Sequence, residues 1–83
     1  MSVYDPLRSR LGRSDKQMVT FSFSEIEKLI GRPLPRSAHA RKEWWSNENV
    51  ATTTHSQCIS WQAAGYGAEV NLTEKTVRFT RKK

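Results

Sequence analysis

The residues best suited to chemistry fall in one part of the chain, between Leu34 and Trp61. All three tryptophans, both histidines and the single cysteine lie there. Amide side chains can pair bidentately with adenine, and an exposed tryptophan or histidine can stack on a base. The sequence therefore predicts a base-reading cluster. It forms if the loop of residues 46–54 folds back, so that the end of one helix meets the start of the next. The members of this cluster are Trp45, Asn47, His55, Ser56 and Gln57.

The alternative interpretation of this cluster is structural. In it Asn47 caps the C-terminus of a helix, His55 and Gln57 satisfy backbone groups of the loop, and both neighbouring tryptophans are core residues. Neighbours in a helix point about 100° apart, so Trp44 and Trp45 cannot both face one core from a regular helix. One of them is expected to face outward. A pocket for a flipped base or a small ligand is a narrower variant of the same site.

A second candidate site consists of cations that could follow a nucleic-acid backbone. Arg36 lies beside the predicted start of a helix, where free backbone N–H groups also favour phosphate. The ordinary alternative is a solvated surface without a ligand. The full set is Arg32, Arg36, Arg41, Lys42, Arg78, Arg81, Lys82 and Lys83.

The remaining residues give little support for metal binding or catalysis. His39, His55 and Cys58 supply too few ligands for tetrahedral zinc, since no Cys-x-x-Cys pair or second close histidine completes the set. His55 and Cys58 could share a helix face, but no residue is placed to orient the histidine or build an oxyanion hole. The sequence contains no glycine-rich phosphate loop and no acid pair suited to nuclease chemistry. We predict a protein that is not an enzyme and uses no cofactor or metal.

The charge is distributed unevenly along the 83 residues. The chain carries 14 Lys and Arg against 8 Asp and Glu, a net charge of +6. Residues 1–42 hold nine basic and four acidic residues, residues 43–77 one and four, and residues 78–83 four and none, giving +5, −3 and +4. Basic ends around a mildly acidic middle predict attraction to polyanions, most often nucleic acid. We expect DNA in preference to RNA.

The composition also bears on the location of the protein. A single cysteine, Cys58, cannot form an internal disulfide and fits a reducing cytosol. No apolar run approaches the roughly 18–20 residues of a membrane span. The polar, charged N-terminus does not resemble a signal peptide. The sequence therefore predicts a cytoplasmic protein without a membrane partner.

Hydrophobic periodicity places the elements that must position these residues. It predicts helices over residues 6–11, 23–30, 38–45 and 55–64, a strand over residues 18–21, and a hairpin over residues 66–72 and 76–80. A capping box at Ser22 and Glu25 begins the second helix, and Gly31 ends it. The polar stretch 46–54 is longer than most connections, which makes it a candidate functional loop.

These elements predict a single α+β domain over residues 1–83, with the basic tail 80–83 frayed. Three or four short helices would pack on a small antiparallel sheet that ends in a C-terminal β-hairpin. The order is that of a winged helix-turn-helix, in which helix 55–64 would be the recognition helix. One observation opposes this interpretation. Helix 55–64 carries no Lys or Arg, whereas a helix in the major groove usually contacts phosphate or guanine with them.

A series of short motifs runs through nearly the whole chain. They are Tyr4, Pro6-Leu7, Phe23-Ser24-Glu25-Ile26-Glu27, Gly31, Leu34-Pro35-Arg36-Ser37-Ala38, Trp44-Trp45-Ser46-Asn47, His55-Ser56-Gln57, Trp61, Gly65-Tyr66 and Val77-Arg78-Phe79. With these motifs the chain resembles a family of small, largely uncharacterised bacterial and phage domains. One departure is at Thr80-Arg81, where the basic residue that ends the last motif comes one position later than in the family pattern. The resemblance implies a compact domain and brings no activity with it.

Two classes of function lead. In the first, the protein is a small cytosolic DNA-binding protein, a transcriptional regulator of phage or mobile-element type. The cations then supply affinity, and Asn47, His55, Ser56 and Gln57 read bases. In the alternative, it is a protein-interaction module that binds and inhibits or modulates a larger host protein complex. Exposed Trp45 would be the anchor, because tryptophan is enriched at interface hot spots. A homodimer is compatible with either, and a small-molecule sensor is a third class.

Overall fold

The computed structural model describes residues 3–47, 53 and 56–82. Over these residues it confirms the predicted α+β class, with helices packed on a small antiparallel sheet that ends in a hairpin. In chain order the elements are α1 (Asp5–Gly12), β1 (Met18–Ser22), α2 (Phe23–Ile30), α3 (Arg36–Ala40), the 3-10 helix η1 (Lys42–Trp45), α4 (Ser56–Ala63), β2 (Tyr66–Asn71) and β3 (Thr76–Arg81).

The sheet has three strands in the order β1-β3-β2, so β3 is central and is antiparallel to both neighbours. Thr20, Arg78 and Glu69 lie side by side across it. β1 thus joins the C-terminal hairpin in one sheet. Val77 and Phe79 alternate with polar residues along β3 and are fully buried, which sets the register because a slip of one residue would expose them.

The capping box that begins α2 is present as predicted. The Glu25 backbone N–H donates to the Ser22 hydroxyl at 3.0 Å, and the Ser22 N–H donates to the Glu25 carboxylate at 2.8 Å. Gly31 ends the helix with φ +75°, a left-handed conformation that glycine adopts without steric cost. Local sequence alone is sufficient to fix this element.

The single helix predicted over residues 38–45 is wrong. The chain forms α3 over residues 36–40 and then η1, because Arg41 between them is extended, with φ −129° and ψ 125°. Pro35 is the N-cap residue of α3. The break turns Trp45 inward, where its ring N–H donates to the Ala38 carbonyl oxygen at 2.9 Å. Tertiary packing of one tryptophan has outweighed the local preference for a continuous helix.

A column of aromatic rings connects the layers of the core. Trp45 stacks on Phe23 with ring centroids 5.2 Å apart, and on Trp61 at 5.8 Å. Trp61 in turn contacts Phe79 at 5.8 Å. Each such pair adds about 0.5–1.5 kcal/mol beyond the burial of its area. The column therefore fixes α2, η1, α4 and β3 relative to one another.

Candidate nucleic-acid interface

Trp45 is part of this core and is not available to a base. Only 2% of its surface is exposed. The expectation of an exposed Trp45, as a stacking residue or as a protein-binding anchor, is therefore wrong. Trp44 is the less buried of the two tryptophans, and it packs edge-on against Trp45 at 4.6 Å and Tyr4 at 5.9 Å. The break at Arg41 explains how both rings can pack against the same core.

Asn47 uses its side chain to close the outer edge of the sheet. Its Nδ2 donates to the Ala68 carbonyl oxygen at 3.0 Å, and its Oδ1 accepts from the Ala68 N–H at 2.8 Å. The same oxygen accepts the ring N–H of buried Trp61 at 2.9 Å. The amide thus pairs with β2 as a neighbouring strand would. Asn47 was expected to read bases or to cap a helix; Ser46 is the C-cap residue of η1, and the Asn47 amide bonds Ala68 and Trp61 instead.

Of the rest of the predicted base-reading cluster, the structure describes only the side chain of Gln57. Gln57 is half-buried, and its amide donates to the Trp44 carbonyl oxygen at 3.4 Å. His55 lies outside the described residues, as does the side chain of Ser56. The helix expected over residues 55–64 is α4, which packs against α1 and β2 with Cys58 and Trp61 buried.

The strongest candidate contact surface is the segment Arg36–Lys42, which contains the short helix α3 and the turn into η1. We name this segment the basic loop. Arg36, Arg41 and Lys42 are exposed, and none has an ion-pair partner among the described residues. Fully buried Ala38 holds the middle of the segment to the core. The hydrogen bond from the Trp45 ring to Ala38 then closes the turn that carries Arg41 and Lys42. The cations therefore project from a backbone that is already ordered.

Arg36 does not sit at a helix terminus that could itself bind phosphate. The helix it begins, α3, has only five residues. A helix this short aligns few peptide dipoles, so its N-terminal field is weak. Any affinity of Arg36 for phosphate must come from its own side chain.

Lys75 is distant from the basic loop in sequence but lies beside it in the structure. It lies in the β2–β3 turn with a left-handed φ of 57°. Its ammonium is 3.3 Å from the His39 carbonyl oxygen and 5.8 Å from the centre of the Phe23 ring. The sequence predicted the turn but contains no signal that this turn packs beside α3. Sequence reasoning therefore missed Lys75 as a candidate site residue.

Arg78 is less available than expected. Its guanidinium forms an ion pair with Glu69, the residue beside it on β2. Arg78 and Lys42 both line an open groove of about 570 Å³ on the sheet, and Glu69 and Glu74 line it too. Two cations and two anions leave this groove without net charge. It interrupts the basic stripe that the sequence predicted.

Arg81 and Lys82 hold the far end of the sheet together. The Arg81 guanidinium donates to the Ser14 carbonyl oxygen at 2.5 Å and to the Tyr66 hydroxyl at 3.0 Å. Burial alone raises the pKa of Tyr66, but hydrogen bonds with Ser14 and Arg81 and the Arg81 charge lower that pKa by more. The Lys82 side chain lies over Gly67. At about 3.3 Å per residue, Arg81 is about 17 Å along β3 from the end where the turn begins.

Two further findings concern the same described ranges. No group of three or more His, Cys, Asp or Glu side chains that could hold a metal ion occurs in residues 3–47, 53 and 56–82. Within those residues no helix has both the length and the apolar character that crossing a bilayer requires.

The chain can now be compared with known proteins. A family model matches residues 4–82, nearly the whole sequence. The chain belongs to the family described as Domain of unknown function (DUF7662). This agrees with the expected membership of an uncharacterised family. Comparison with curated proteins and with solved structures gives no match. The function of this DUF7662 domain must therefore be argued from its own residues.

Proposed function

We propose that this DUF7662 domain is a small cytoplasmic DNA-binding protein, a regulator of phage or mobile-element type. One observation carries the proposal: Arg36, Arg41 and Lys42 are exposed and unpaired among the described residues, on a loop that is held to the core. Lys75 adds a fourth cation to this surface. The net charge of +6 supplies long-range attraction to a polyanion.

Binding would be dominated by phosphate contacts. Lysine and arginine that contact phosphate position a protein on the duplex and carry no sequence information directly. Trp45 is buried, and the Asn47 amide oxygen already accepts two hydrogen bonds, so neither side chain is placed for the base contacts expected of it. We therefore expect strong dependence on salt and weak sequence preference, with Gln57 and His55 as the remaining candidates for base readout.

The first test is fluorescence anisotropy of labelled random DNA, duplex and single-stranded, at about 50 and 200 mM salt. We expect micromolar binding at the lower concentration and a loss of at least about tenfold at the higher one. Arg36→Ala combined with Lys42→Ala should weaken binding of every sequence and lower the salt slope by about two. Gln57→Ala should change only sequence preference.

The matched control removes the same charge elsewhere. Arg13→Ala combined with Lys16→Ala also deletes two exposed cations, from the loop that Arg81 contacts. This variant should keep most of the affinity and slope. If both double variants lose affinity equally, the effect is one of net charge and the basic loop is not a site. Unchanged binding after loss of Arg36 and Lys42 would remove the loop from the proposal.

The second candidate function is a module that binds a larger host protein complex. Its proposed anchor, Trp45, is buried. The observation that still favours it is Met18, whose side chain is 49% exposed on β1. This function predicts a salt-tolerant protein complex and no DNA binding at about 50 mM salt, so the anisotropy titration separates the two candidates.

A further inference from the structure

The backbone N–H and C=O groups of β1 point alternately toward β3 and toward the outer edge of the sheet. The Gln17 carbonyl oxygen accepts from the Arg81 N–H at 2.8 Å, and the Phe23 N–H donates to the Lys75 carbonyl oxygen at 2.9 Å. Backbone groups alternate sides along a strand, so odd-numbered residues from 17 to 23 bond to β3. Even-numbered Met18, Thr20 and Ser22 therefore direct their N–H and C=O groups to the outer edge of the sheet.

Part of this outer edge has no partner in the described structure. The Ser22 N–H is taken by the Glu25 carboxylate, but the backbone groups of Met18 and Thr20 that face outward are unbonded among the described residues. Proteins usually protect such edges with charged residues, proline or a bulge. β1 reads Met-Val-Thr-Phe-Ser, with no charge and no proline. Exposed Met18 adds apolar surface at the same place.

We infer that β1 pairs with β1 of a second copy of this chain, antiparallel about a two-fold axis at Thr20. In that register Thr20 lies opposite Thr20, and Met18 lies opposite Ser22. Two backbone hydrogen bonds join the Thr20 pair, and Met18 N–H donates to the Ser22 carbonyl oxygen in both directions. The two three-stranded sheets become one six-stranded sheet. This is strand addition at an edge, with the second copy as the added strand.

Charge favours a second copy as the occupant. The strand itself is uncharged, so pairing it with itself brings no like charges together. Beyond the strand, a cleft of about 440 Å³ lies between β1 and α2, where Phe21 and Leu29 continue the apolar surface and Arg10, Glu25 and Lys28 complete the lining.

The test is sedimentation velocity of the full chain over a concentration series up to about 500 µM. We expect a reversible dimer of twice the 9.6 kDa chain mass. Thr20→Pro removes the outward N–H and leaves the bonds to β3 intact, since proline is tolerated where the N–H faces away from the sheet. It should raise the dimer dissociation constant by at least about tenfold.

A second variant tests the same contact in case the proline variant does not fold. Thr20→Lys keeps the backbone and places two like charges opposite each other across the axis, so it should also weaken the dimer. Thr73→Lys adds the same charge at an exposed position of the β2–β3 turn and should leave the dimer unchanged. Far-UV circular dichroism and tryptophan fluorescence verify folding of each variant.

A monomer at every concentration would overturn the inference. So would a dimer that resists both Thr20 variants, because β1 would then lie outside its interface. The residues involved do not include Arg36, Arg41 or Lys42, so failure here and failure of DNA binding are separate results.

Discussion

The two edges of the sheet are treated differently by the rest of the chain. On the β2 edge, η1 packs alongside the strand and the Asn47 amide bonds both backbone groups of Ala68. On the β1 edge, the Glu25 carboxylate covers the Ser22 N–H, and the outward groups of Met18 and Thr20 stay unbonded among the described residues. The middle of the β2 edge, at Ala68, is closed from within the chain. The β1 edge is available for pairing with a second chain.

The difference shows how little is needed to close an edge. A side-chain amide carries the same donor and acceptor as a peptide unit, so one asparagine can take the place of a neighbouring strand. At the β2 edge it also satisfies the ring N–H of buried Trp61. At the β1 edge, Glu25 belongs to the capping box of α2, and its carboxylate bonds one outward N–H of the strand, that of Ser22.

Asn47→Ala should break the closed edge and have the largest effect. It leaves the Trp61 ring N–H unbonded in the core and frees both groups of Ala68. We expect a loss of about 3 kcal/mol in the free energy of unfolding, measured by urea denaturation followed by tryptophan fluorescence. Asn71→Ala is the control, because Asn71 is exposed and, among the described residues, its side chain bonds only Glu74 in the turn. Equal losses for the two variants would contradict this account of the edge.

Trp45→Phe tests what holds η1 in place beside β2. Phenylalanine keeps a ring in the column but leaves the carbonyl oxygen of buried Ala38 without its donor. We expect a loss of about 2 kcal/mol in urea denaturation followed by circular dichroism. Trp44→Phe, at a half-buried ring, should cost less than half as much. The reverse order of the two losses would show that η1 is anchored by Trp44.

Ser22→Ala tests the capped end of the open edge. The substitution removes the hydroxyl that accepts the Glu25 N–H and should cost about 1 kcal/mol of stability. Ser24→Ala is the control, because Ser24 is exposed in the first turn of α2 and its substitution should leave stability nearly unchanged. A neutral Ser22→Ala would mean that the capping box contributes nothing to α2.

Glu25 should couple the open edge to pH, with the smallest effect. Hydrogen bonding from the Ser22 backbone, followed by that from its side chain, lowers the pKa of Glu25 below its usual value. A lowered folded-state pKa means that this stabilisation is present above the unfolded-state pKa and is lost as pH falls through the folded one. Glu25→Gln should therefore be less stable than wild type at neutral pH, and the difference should shrink as pH falls below the usual glutamate pKa and vanish below the lowered folded-state pKa.

The same carboxylate limits the proposed dimer. Glu25→Ala releases the Ser22 N–H, which can then donate across the two-fold axis to the Met18 carbonyl oxygen of the second copy. We expect the dimer to tighten by a few-fold in sedimentation at neutral pH. Weaker association would show that Glu25 contacts the second copy directly.

Much of the fold could be predicted because its signals are local. Ser22 with Glu25 and then Gly31 fix both ends of α2, and alternation of Val77 and Phe79 with polar residues identifies β3. The candidate site was harder. Trp45, Asn47 and Gln57 have the side chains of a base-reading cluster, and nothing in their types or spacing shows whether those groups are bonded inside the fold. Lys75 was missed because its partner, His39, is 36 residues away.

The sequence by itself determined the elements whose hydrogen bonds and hydrophobic pattern close within a few residues: α2, the C-terminal hairpin and the basic character of residues 36–42. Only the tertiary structure decided where the chain breaks at Arg41, which tryptophan is buried, and that Asn47 completes a strand edge. Those outcomes depend on contacts between residues far apart in sequence, such as Asn47 with Ala68 and Trp45 with Phe23. Their free energies compete with local preference, and periodicity and spacing do not report them.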